Sequence, residues 1–394
     1  MMREVDRGVC RVLYLDGYTV PDPKVGVPSS DAIGYGITAS SAIRDGLSAL
    51  RFDVVRPRLD PSPTATGGGP EARLSWILGN YRSVLHTLLE DPPDVIFCFH
   101  IFSTFPVEIR RMLLDLGMSI PIVGYTHGSH WDPTDTFRTE TYPGMEVLDL
   151  ANLHVLDRVF LVSEYMRTTL RTTIGAFNTP LAEQIDASAA VVGLPLDVDR
   201  MDACRSDHRF PRPTVVFNHA PVSSKNPDLF ARVMARVLPQ HDVGVLITRD
   251  FARWQPGGEA IAELAQRFPE QVILGRDMPL DEYFEALWAA DLQVSTSTHE
   301  SLGVSTLEAM YTGNCCLLPR VGSYPEICER HPDVLYEPGE GPLEERLRFF
   351  LEHPERRRAV ASDLQQLAAR FHPRAVVQKI AAEVLDAVRR KSAG

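Results

Sequence analysis

Two glutamates frame a loop that follows a buried strand and opens a helix, in the segment HESLGVSTLE. Glu300 lies in the loop, and Glu308 lies on the first turns of the predicted helix. The backbone N–H groups of Leu302, Gly303 and Val304 would point out of the helix N-terminus, where they suit a phosphate or a sugar hydroxyl. Gly303 would also let the backbone approach a ligand closely. The alternative is a structural role, in which Glu308 complements the helix dipole and Glu300 is solvated.

Lys225 is a second candidate for chemistry, because the chain contains only four lysines and this one follows a predicted strand and a short loop. A lysine is a point charge that can reach a phosphate, and strand-end loops of α/β sheets surround the ligand. The alternative is a solvated loop lysine.

Other polar motifs carry weaker signals. His127 ends a predicted strand, and HGSH holds two histidines without a nearby set of metal ligands. The DVD motif that begins at Asp197 lies in a predicted linker, so we interpret it as structural. The six cysteines form no CxxC pair and lie mostly in apolar runs, which predicts buried, reduced thiols. We therefore expect no metal site and no cofactor.

The elements that must position these residues alternate as short apolar runs and amphipathic stretches along nearly the whole chain. This alternation predicts βαβ units with parallel sheets, and a polar, Pro-rich stretch divides them into two halves. We expect two doubly wound, Rossmann-like domains that face a cleft. The predicted boundaries are residues 1–196 for the N-terminal domain, 197–212 for the linker, 213–372 for the C-terminal domain and 373–394 for a C-terminal helix.

The composition excludes several classes of protein. The 394 residues are 44% hydrophobic and 23% charged, which rules out a disordered chain, a collagen and a coiled coil. We expect no membrane span and no signal peptide, and hence a cytoplasmic protein. The net charge of −12 argues against broad binding of nucleic acid. The bias toward arginine, alanine and proline is typical of a GC-rich bacterial genome.

At residues 285–327 the sequence resembles retaining GT-B glycosyltransferases of the GT4 type almost residue for residue, and the two glutamates match their E-x7-E signature. The resemblance covers roughly the whole chain and is most specific in the C-terminal half. VVFNHAPVSSKNPDLF, residues 215–230, is most similar to the branch with the tRNA-queuosine mannosyltransferases. The resemblance implies the GT-B fold, with the donor bound by the C-terminal domain and the acceptor by the N-terminal domain.

The resemblance also implies a catalytic set. Glu300 would bond hydroxyls of the donor sugar, and Lys225 would neutralise the diphosphate leaving group. His127 would contact the donor sugar from the N-terminal domain. Glu308 would hold the ribose of the nucleotide.

Further donor-binding residues follow from the resemblance. The glycine loop of the N-terminal domain would approach the diphosphate, and the loop after the strand that ends at Leu274 would contact the base. Leu302, Gly303 and Val304 would offer backbone donors. The remaining residues expected on the donor side are Gly34, Gly36, Asn218, Arg276 and Met278.

One position departs from the family pattern. The lysine is usually paired with an arginine five residues earlier, and that position is Ala220 here. Either Arg249 or Arg276 substitutes for it, or catalysis is slow, or the donor differs.

The resulting hypothesis is a metal-independent, retaining hexosyltransferase that uses a GDP- or UDP-linked sugar and a small-molecule acceptor. The alternatives are a glycosyltransferase acting on a modified tRNA base, a nucleotide-sugar epimerase and a non-catalytic GT-B partner subunit. Arginine clusters at positions 51, 56, 58, 110 and 111 could form a local patch for tRNA. The sequence leaves the oligomeric state, the donor and the acceptor open.

Overall fold

The computed structural model describes residues 9–16, 35–57, 70–136, 144–276 and 278–393. These residues form two parallel sheets of six strands each, and every neighbouring pair of strands runs in the same direction. Two doubly wound α/β domains are the architecture that the sequence predicts. No helix within the described ranges is both long and apolar enough to cross a bilayer.

The four central strands of the first sheet are almost wholly buried, as expected for parallel strands between layers of helices, whereas its two edge strands are only partly buried or exposed. In chain order its strands are β1 (Arg11–Leu15), β2 (Asp53–Val55), β3 (Val95–Cys98), β4 (Ile122–Thr126), β5 (Arg158–Leu161) and β6 (Ala189–Val191). They are arranged in the order β2-β1-β3-β4-β5-β6.

Helices connect these strands. They are α1 (Tyr35–Ala49), α2 (Pro70–Glu90), α3 (Ile101–Thr104), α4 (Pro106–Asp115), α5 (Glu146–His154), α6 (Glu164–Phe177) and α7 (Thr179–Ser188). Helix α8 (Val198–Ala203) then leads to the second domain.

The second sheet repeats the pattern. Its strands are β7 (Thr214–Phe217), β8 (Gly244–Ile247), β9 (Val272–Leu274), β10 (Leu292–Val294), β11 (Cys315–Pro319) and β12 (Leu335–Tyr336). Its helices are α9 (Pro227–Val237), α10 (Gly258–Arg267), α11 (Leu280–Ala289), α12 (Val304–Tyr311), α13 (Tyr324–Ile327), α14 (Glu340–Glu352) and α15 (Pro354–Ala368).

The second sheet has the strand order β12-β11-β10-β7-β8-β9. Its strands are added outward in one direction from β7 to β9 and in the other direction from β10 to β12, so the order changes between β7 and β10. Loops that leave the carboxyl ends of these two strands diverge to opposite sides and open a crevice. Lys225 lies in the loop after β7, and Glu300 lies in the loop after β10. The fold therefore brings these two residues to its expected ligand-binding edge.

The last helix, α16 (Pro373–Ala393), returns to the first domain and packs on α1. Gly46 makes room for it, since a Cβ there would lie 2.8 Å from Val377 Cγ2. Arg158 of β5 pairs with Glu383 at 2.8 Å and with Asp386 at 2.9 Å.

Three features of the fold are not evident from local sequence patterns. Helix α8 forms within the predicted linker, and Met201 O accepts a 2.7 Å hydrogen bond from Trp288 Nε1. The helical spacing of apolar residues in α2 predicts one buried face, yet Leu74 and Leu78 are 58% and 54% exposed, while Val84 and Leu88 are buried. The two-residue strand β12 carries too short a pattern to be predicted.

Candidate functional site

Glu300 is buried among donors of hydrogen bonds. Its Oε1 forms an ion pair with Lys225 Nζ and accepts hydrogen bonds from Tyr324 OH at 3.1 Å and Ser297 Oγ at 3.2 Å. Burial raises the pKa of Glu300, but the charge of Lys225 and its hydrogen bond to the carboxylate outweigh burial, so the pKa lies below its ordinary value. The carboxyl is therefore ionised. Within the described residues, its second oxygen, Oε2, receives no hydrogen bond and can accept one from a ligand.

Gly322 holds the backbone of Glu300 in place. A Cβ at this position would lie 2.2 Å from Glu300 O, and φ is +53°. Close contact of the two loops lets Ser323 N donate to Glu300 O at 3.0 Å. Only glycine satisfies both requirements, because other residues rarely adopt this φ and would clash.

Lys225 ends a short 3-10 helix, Ser223–Lys225, that the loop after β10 anchors. Thr296 Oγ1 donates to Lys225 O at 2.7 Å, and Thr298 N donates to Ser224 O at 2.8 Å. The lysine is thus fixed beside Glu300 by contacts that are independent of its own charge.

The N-terminus of α12 faces the same crevice. Gly303 caps it with φ +82°, and a Cβ there would lie 2.9 Å from Tyr324 Cε1. In the part of the chain that the structure describes, the N–H groups of Leu302, Gly303 and Val304 donate no hydrogen bond. Three unpaired donors, the helix dipole and Lys225 together make a site for an anion.

Glu308 lies one helical turn further along. Its Oε2 accepts a 2.7 Å hydrogen bond from Tyr283 OH. Burial raises the pKa of Glu308 to about 7, although the bond from Tyr283 and the charge of Arg249 act in the opposite direction. This carboxyl therefore changes charge near neutral pH, unlike Glu300.

Asn218 lies behind the helix rather than in the crevice. It is 3% exposed, and its Nδ2 donates to Ser305 O at 2.8 Å and to Tyr283 OH at 3.0 Å. Its contacts are those of a residue that positions Glu308 through Tyr283. Direct contact with a donor remains a prediction from the sequence.

His127 lies just beyond β4, at the carboxyl end of the first sheet. Its Nε2 donates to Phe99 O at 2.9 Å, and its ring stacks on Tyr125 at a centroid distance of 5.4 Å. Because a carbonyl only accepts, this bond places the proton on Nε2. The ring is buried, and its role toward a donor sugar remains a prediction.

The other residues predicted to bind the nucleotide sugar lie in separate parts of the fold. Gly34 lies outside the described residues, and Gly36 is in the first turn of α1. Arg276 is exposed with φ +48°, and Met278 N donates to Thr248 O at 3.3 Å beyond β9. Both therefore lie in the loop after β9, two strands from the crevice.

Arg249 follows β8 and is the arginine that the structure brings toward Glu308. Its charge lowers the pKa of both Glu308 and Tyr283. It therefore adds positive charge on the Glu308 side of the crevice. Because position 220 is an alanine, it supplies no second cation, and Lys225 is the residue that pairs with Glu300.

The domains touch directly beside Glu300. Ser163 Oγ of the first domain donates to Ser301 O at 2.6 Å, and Thr134 Oγ1 lies 2.8 Å from His299 Nδ1. The turn that follows β4 and contains Thr134 thus reaches the loop that holds Glu300.

Several residues of the site are not predicted by the sequence. Tyr324 and Tyr283 orient the two glutamates, while His219 and Gln293 lie with Asn218 in a polar layer behind α12 that contacts Ser305. A tyrosine inside an amphipathic helix or beside a proline gives no local signal of such a role. Among the described residues, no group of three or more His, Cys, Asp or Glu side chains is arranged to hold a metal ion.

Residues 212–352 match the family model described as Glycosyl transferases group 1. Sucrose-phosphate synthase from Thermosynechococcus elongatus has a similar structure, with a TM-score of 0.68 at 15% identity over 98% of this chain and 100% of that chain. HepE from Anabaena, solved in complex with UDP and glucose, gives a TM-score of 0.62 at 19% identity over 96% of this chain and 99% of that chain. The fold is GT-B, as the sequence predicts.

A further relative matches only part of the chain. tRNA-queuosine alpha-mannosyltransferase of Drosophila melanogaster is 26% identical over 113 residues, which are 29% of this chain and 30% of that protein. The match lies in the C-terminal half and spans less than one third of that relative.

Proposed function

We propose that this protein is a retaining glycosyltransferase of the GT4 type, which transfers a hexose from a nucleoside-diphosphate sugar to a small-molecule acceptor without a metal ion. The observation that carries the proposal is the grouping at one edge of Lys225, ionised Glu300 and the unpaired N–H groups of α12. This grouping offers positive charge and donors to a diphosphate, and an acceptor oxygen to a sugar hydroxyl.

The nucleotide lies on the second domain in this proposal. Glu308 accepts hydrogen bonds from ribose hydroxyls, the N-terminus of α12 and Lys225 hold the diphosphate, and the loop with Arg276 and Met278 contacts the base. The matched family model supports this placement because it covers all of these residues.

Transfer proceeds on one face of the sugar. The bond between the anomeric carbon and the diphosphate oxygen breaks, and its electron pair leaves with the diphosphate. The acceptor oxygen bonds to the same face of that carbon, while its proton passes to the departing phosphate oxygen. Lys225 and the amides of α12 stabilise the charge that develops on the diphosphate.

Glu300 is unsuited to act as a covalent nucleophile. Its Oε1 already accepts three hydrogen bonds, and the ion pair with Lys225 makes the carboxylate a weaker nucleophile. We assign it instead to bonding a donor hydroxyl through Oε2 and to stabilising positive charge at the anomeric carbon. His127 completes the donor-sugar pocket from the first domain.

A small-molecule acceptor agrees with the charges better than tRNA does. Three arginines of the suggested patch are paired: Arg56 with Asp16, Arg110 with Asp157, and Arg111 with Asp115 at 3.2 Å. The match to tRNA-queuosine alpha-mannosyltransferase falls in the half that binds the donor in this proposal, so it argues for testing GDP-mannose. HepE, solved with UDP and glucose, argues for testing UDP-glucose.

A cytoplasmic location belongs to the same proposal. All six cysteines are free thiols, and four of them are buried, which is the usual state in a reducing compartment.

One alternative has an observation in its favour. Ala220 removes a cation, so the protein could bind a nucleotide sugar as a non-catalytic partner. The stereochemistry of turnover tests the proposal. The purified protein is incubated with UDP-glucose and with GDP-mannose, and NMR follows the first sugar released to water or transferred. Retention of the α configuration is expected. Inversion contradicts the retaining mechanism, and binding without turnover supports the partner.

A further inference from the structure

A buried polar layer lies directly behind α12 and has no place in the proposed reaction so far. It consists of Asn218, His219 and Gln293, which are 3%, 2% and 0% exposed. Ser305, on the first turn of α12, is partly exposed and contacts this layer.

The backbone carbonyl of Ser305 fixes the orientation of the whole layer. It can only accept a hydrogen bond, so the atom of Asn218 that lies 2.8 Å away must be the amide nitrogen. The oxygen of the Asn218 amide then faces the other way, toward Gln293.

The next two contacts follow from that orientation. Gln293 must present its amide nitrogen to Asn218 Oδ1, at 3.2 Å, because two amide oxygens would repel each other. The same nitrogen lies 3.2 Å from His219 Nε2, which therefore accepts. A neutral imidazole that accepts through Nε2 carries its proton on Nδ1.

His219 stays neutral in this environment. Burial, together with the charge of Lys225, lowers its pKa to about 3. Its Nδ1–H lies 3.3 Å from Ser305 Oγ and donates to it. The serine hydroxyl thus uses a lone pair toward the protein, and within the described residues its own proton has no acceptor.

We propose that Ser305 is a further donor-binding residue, whose hydroxyl donates to a phosphate oxygen of a nucleoside diphosphate, and that His219 is the positioning residue that keeps it a donor. The inference rests on the proposed function and deepens it. Ser305 lies between the unpaired amides that begin α12 and the carboxylate of Glu308. Its place along the helix corresponds to the α-phosphate, which is the part of the diphosphate next to the ribose.

The Asn218 amide also acts on Glu308, where its effect is to favour a hydrogen-bond acceptor rather than a donor. The second proton of Asn218 Nδ2 goes to Tyr283 OH, which in turn donates to Glu308 Oε2. Glu308 is thereby prepared to accept from hydroxyls, while Ser305 is prepared to donate to phosphate. Through these contacts the buried amide of Asn218 leaves a hydrogen-bond donor at Ser305 and a hydrogen-bond acceptor at Glu308, about one helical turn apart on α12.

The test compares affinities of UDP and GDP with those of uridine and guanosine, by titration calorimetry on the full chain. We expect Ser305→Ala to weaken binding of the preferred diphosphate about tenfold and to leave its nucleoside unchanged. Ser305→Thr, which keeps the hydroxyl, should bind as the unsubstituted protein does. Equal diphosphate affinity in Ser305→Ala would overturn the inference, whereas absence of binding by the unsubstituted protein would overturn the proposed function and the inference with it.

The positioning role has its own readouts. His219→Asn can place an amide N–H near the position of Nδ1 and should retain most diphosphate affinity, whereas His219→Phe should lose about as much as Ser305→Ala. Nitrogen-15 NMR of the unsubstituted protein should show a neutral His219 with its proton on Nδ1 from pH 5 to 8. A proton on Nε2, or an imidazolium in that range, would overturn the assignment even where the variants fail to fold.

Discussion

Glu326 in the second domain accepts a hydrogen bond from the backbone N–H of Tyr165 in the first domain, at 3.0 Å. Its other oxygen accepts from Glu164 N, also at 3.0 Å. The carboxylate therefore caps the N-terminus of α6, where Ser163 is the N-cap residue. Because a negative charge is favourable at a helix N-terminus, this contact stabilises the association of the two domains beside the crevice.

Glu326→Gln should loosen that association. The substitution keeps the shape but removes the charge and one acceptor, so we expect a loss of about 1 kcal/mol in the free energy of unfolding. Glu329→Gln is the matched control, because its side chain is 62% exposed and, among the residues that the structure describes, pairs with Arg370 alone. Denaturant unfolding measures both variants, and equal stability of the two would show that the cap does not hold the domains.

Gly322→Ala should distort the site through Glu300. The added Cβ would lie 2.2 Å from Glu300 O at a φ of +53°. The strain should cost about 2 kcal/mol or more of stability and abolish binding of the nucleotide sugar.

Gly341→Ala is the control for this effect. Gly341 lies in the first turn of α14 with no heavy atom within 4 Å of its Cβ position, so alanine should leave stability unchanged or slightly raise it. Thermal unfolding and binding are measured for both variants. Normal binding by Gly322→Ala would contradict the role given to this contact.

Lys225→Ala should reduce kcat about 10²- to 10³-fold, because it removes the cation that stabilises the departing diphosphate. Lys225→Arg should retain part of the activity. Lys379→Ala serves as control, since Lys379 is exposed on α16 and remote from the crevice. A change in KM alone, with kcat preserved, would show that Lys225 only binds the donor.

Binding of the nucleotide sugar should strengthen as the pH rises from 6 to 8. The pKa of Glu308 is about 7 without ligand, and only the ionised carboxylate accepts from both ribose hydroxyls. Affinity should therefore rise about tenfold across this range, with release of a proton near pH 7. His219, with a pKa of about 3, does not titrate there.

Calorimetry in two buffers of different ionisation enthalpy measures the proton release. Glu308→Gln should bind weakly with no dependence on pH, and Tyr283→Phe should shift the dependence to higher pH because it removes the bond to the carboxylate. If the affinity of the unsubstituted protein does not depend on pH, Glu308 does not bind the ribose in its ionised form and the prediction is contradicted.

The sequence predicts the elements of this fold well, since buried parallel strands are short apolar runs with loops between them. The apolar run Thr214–Phe217 forms a buried strand and the amphipathic stretch Gly258–Arg267 forms a helix, as their patterns predict. The loops that carry Lys225 and Glu300 are recognisable individually, because each follows such a strand. Their meeting across 75 residues depends on the reversal of strand order between β7 and β10, which only the assembled sheet shows.

The layer behind α12 has no comparable signal. Gln293 stands in the middle of a buried strand and His219 just beyond another, and neither position reveals that they share a hydrogen-bond network. Tyr283 is spaced like an ordinary core residue of α11. Such residues act through tertiary contacts, so local patterns of hydrophobicity cannot distinguish them from packing residues.

The most direct test of the central claim is a thermal-shift screen of the purified protein. It uses UDP, GDP, ADP and TDP with their common sugars, with and without EDTA, beside Glu308→Ala. The account predicts that one nucleotide series at 100 times its dissociation constant stabilises the fold by about 2.7 kcal/mol, unaffected by EDTA and lost in the variant. No shift with any nucleotide would contradict the claim that this edge is a donor site.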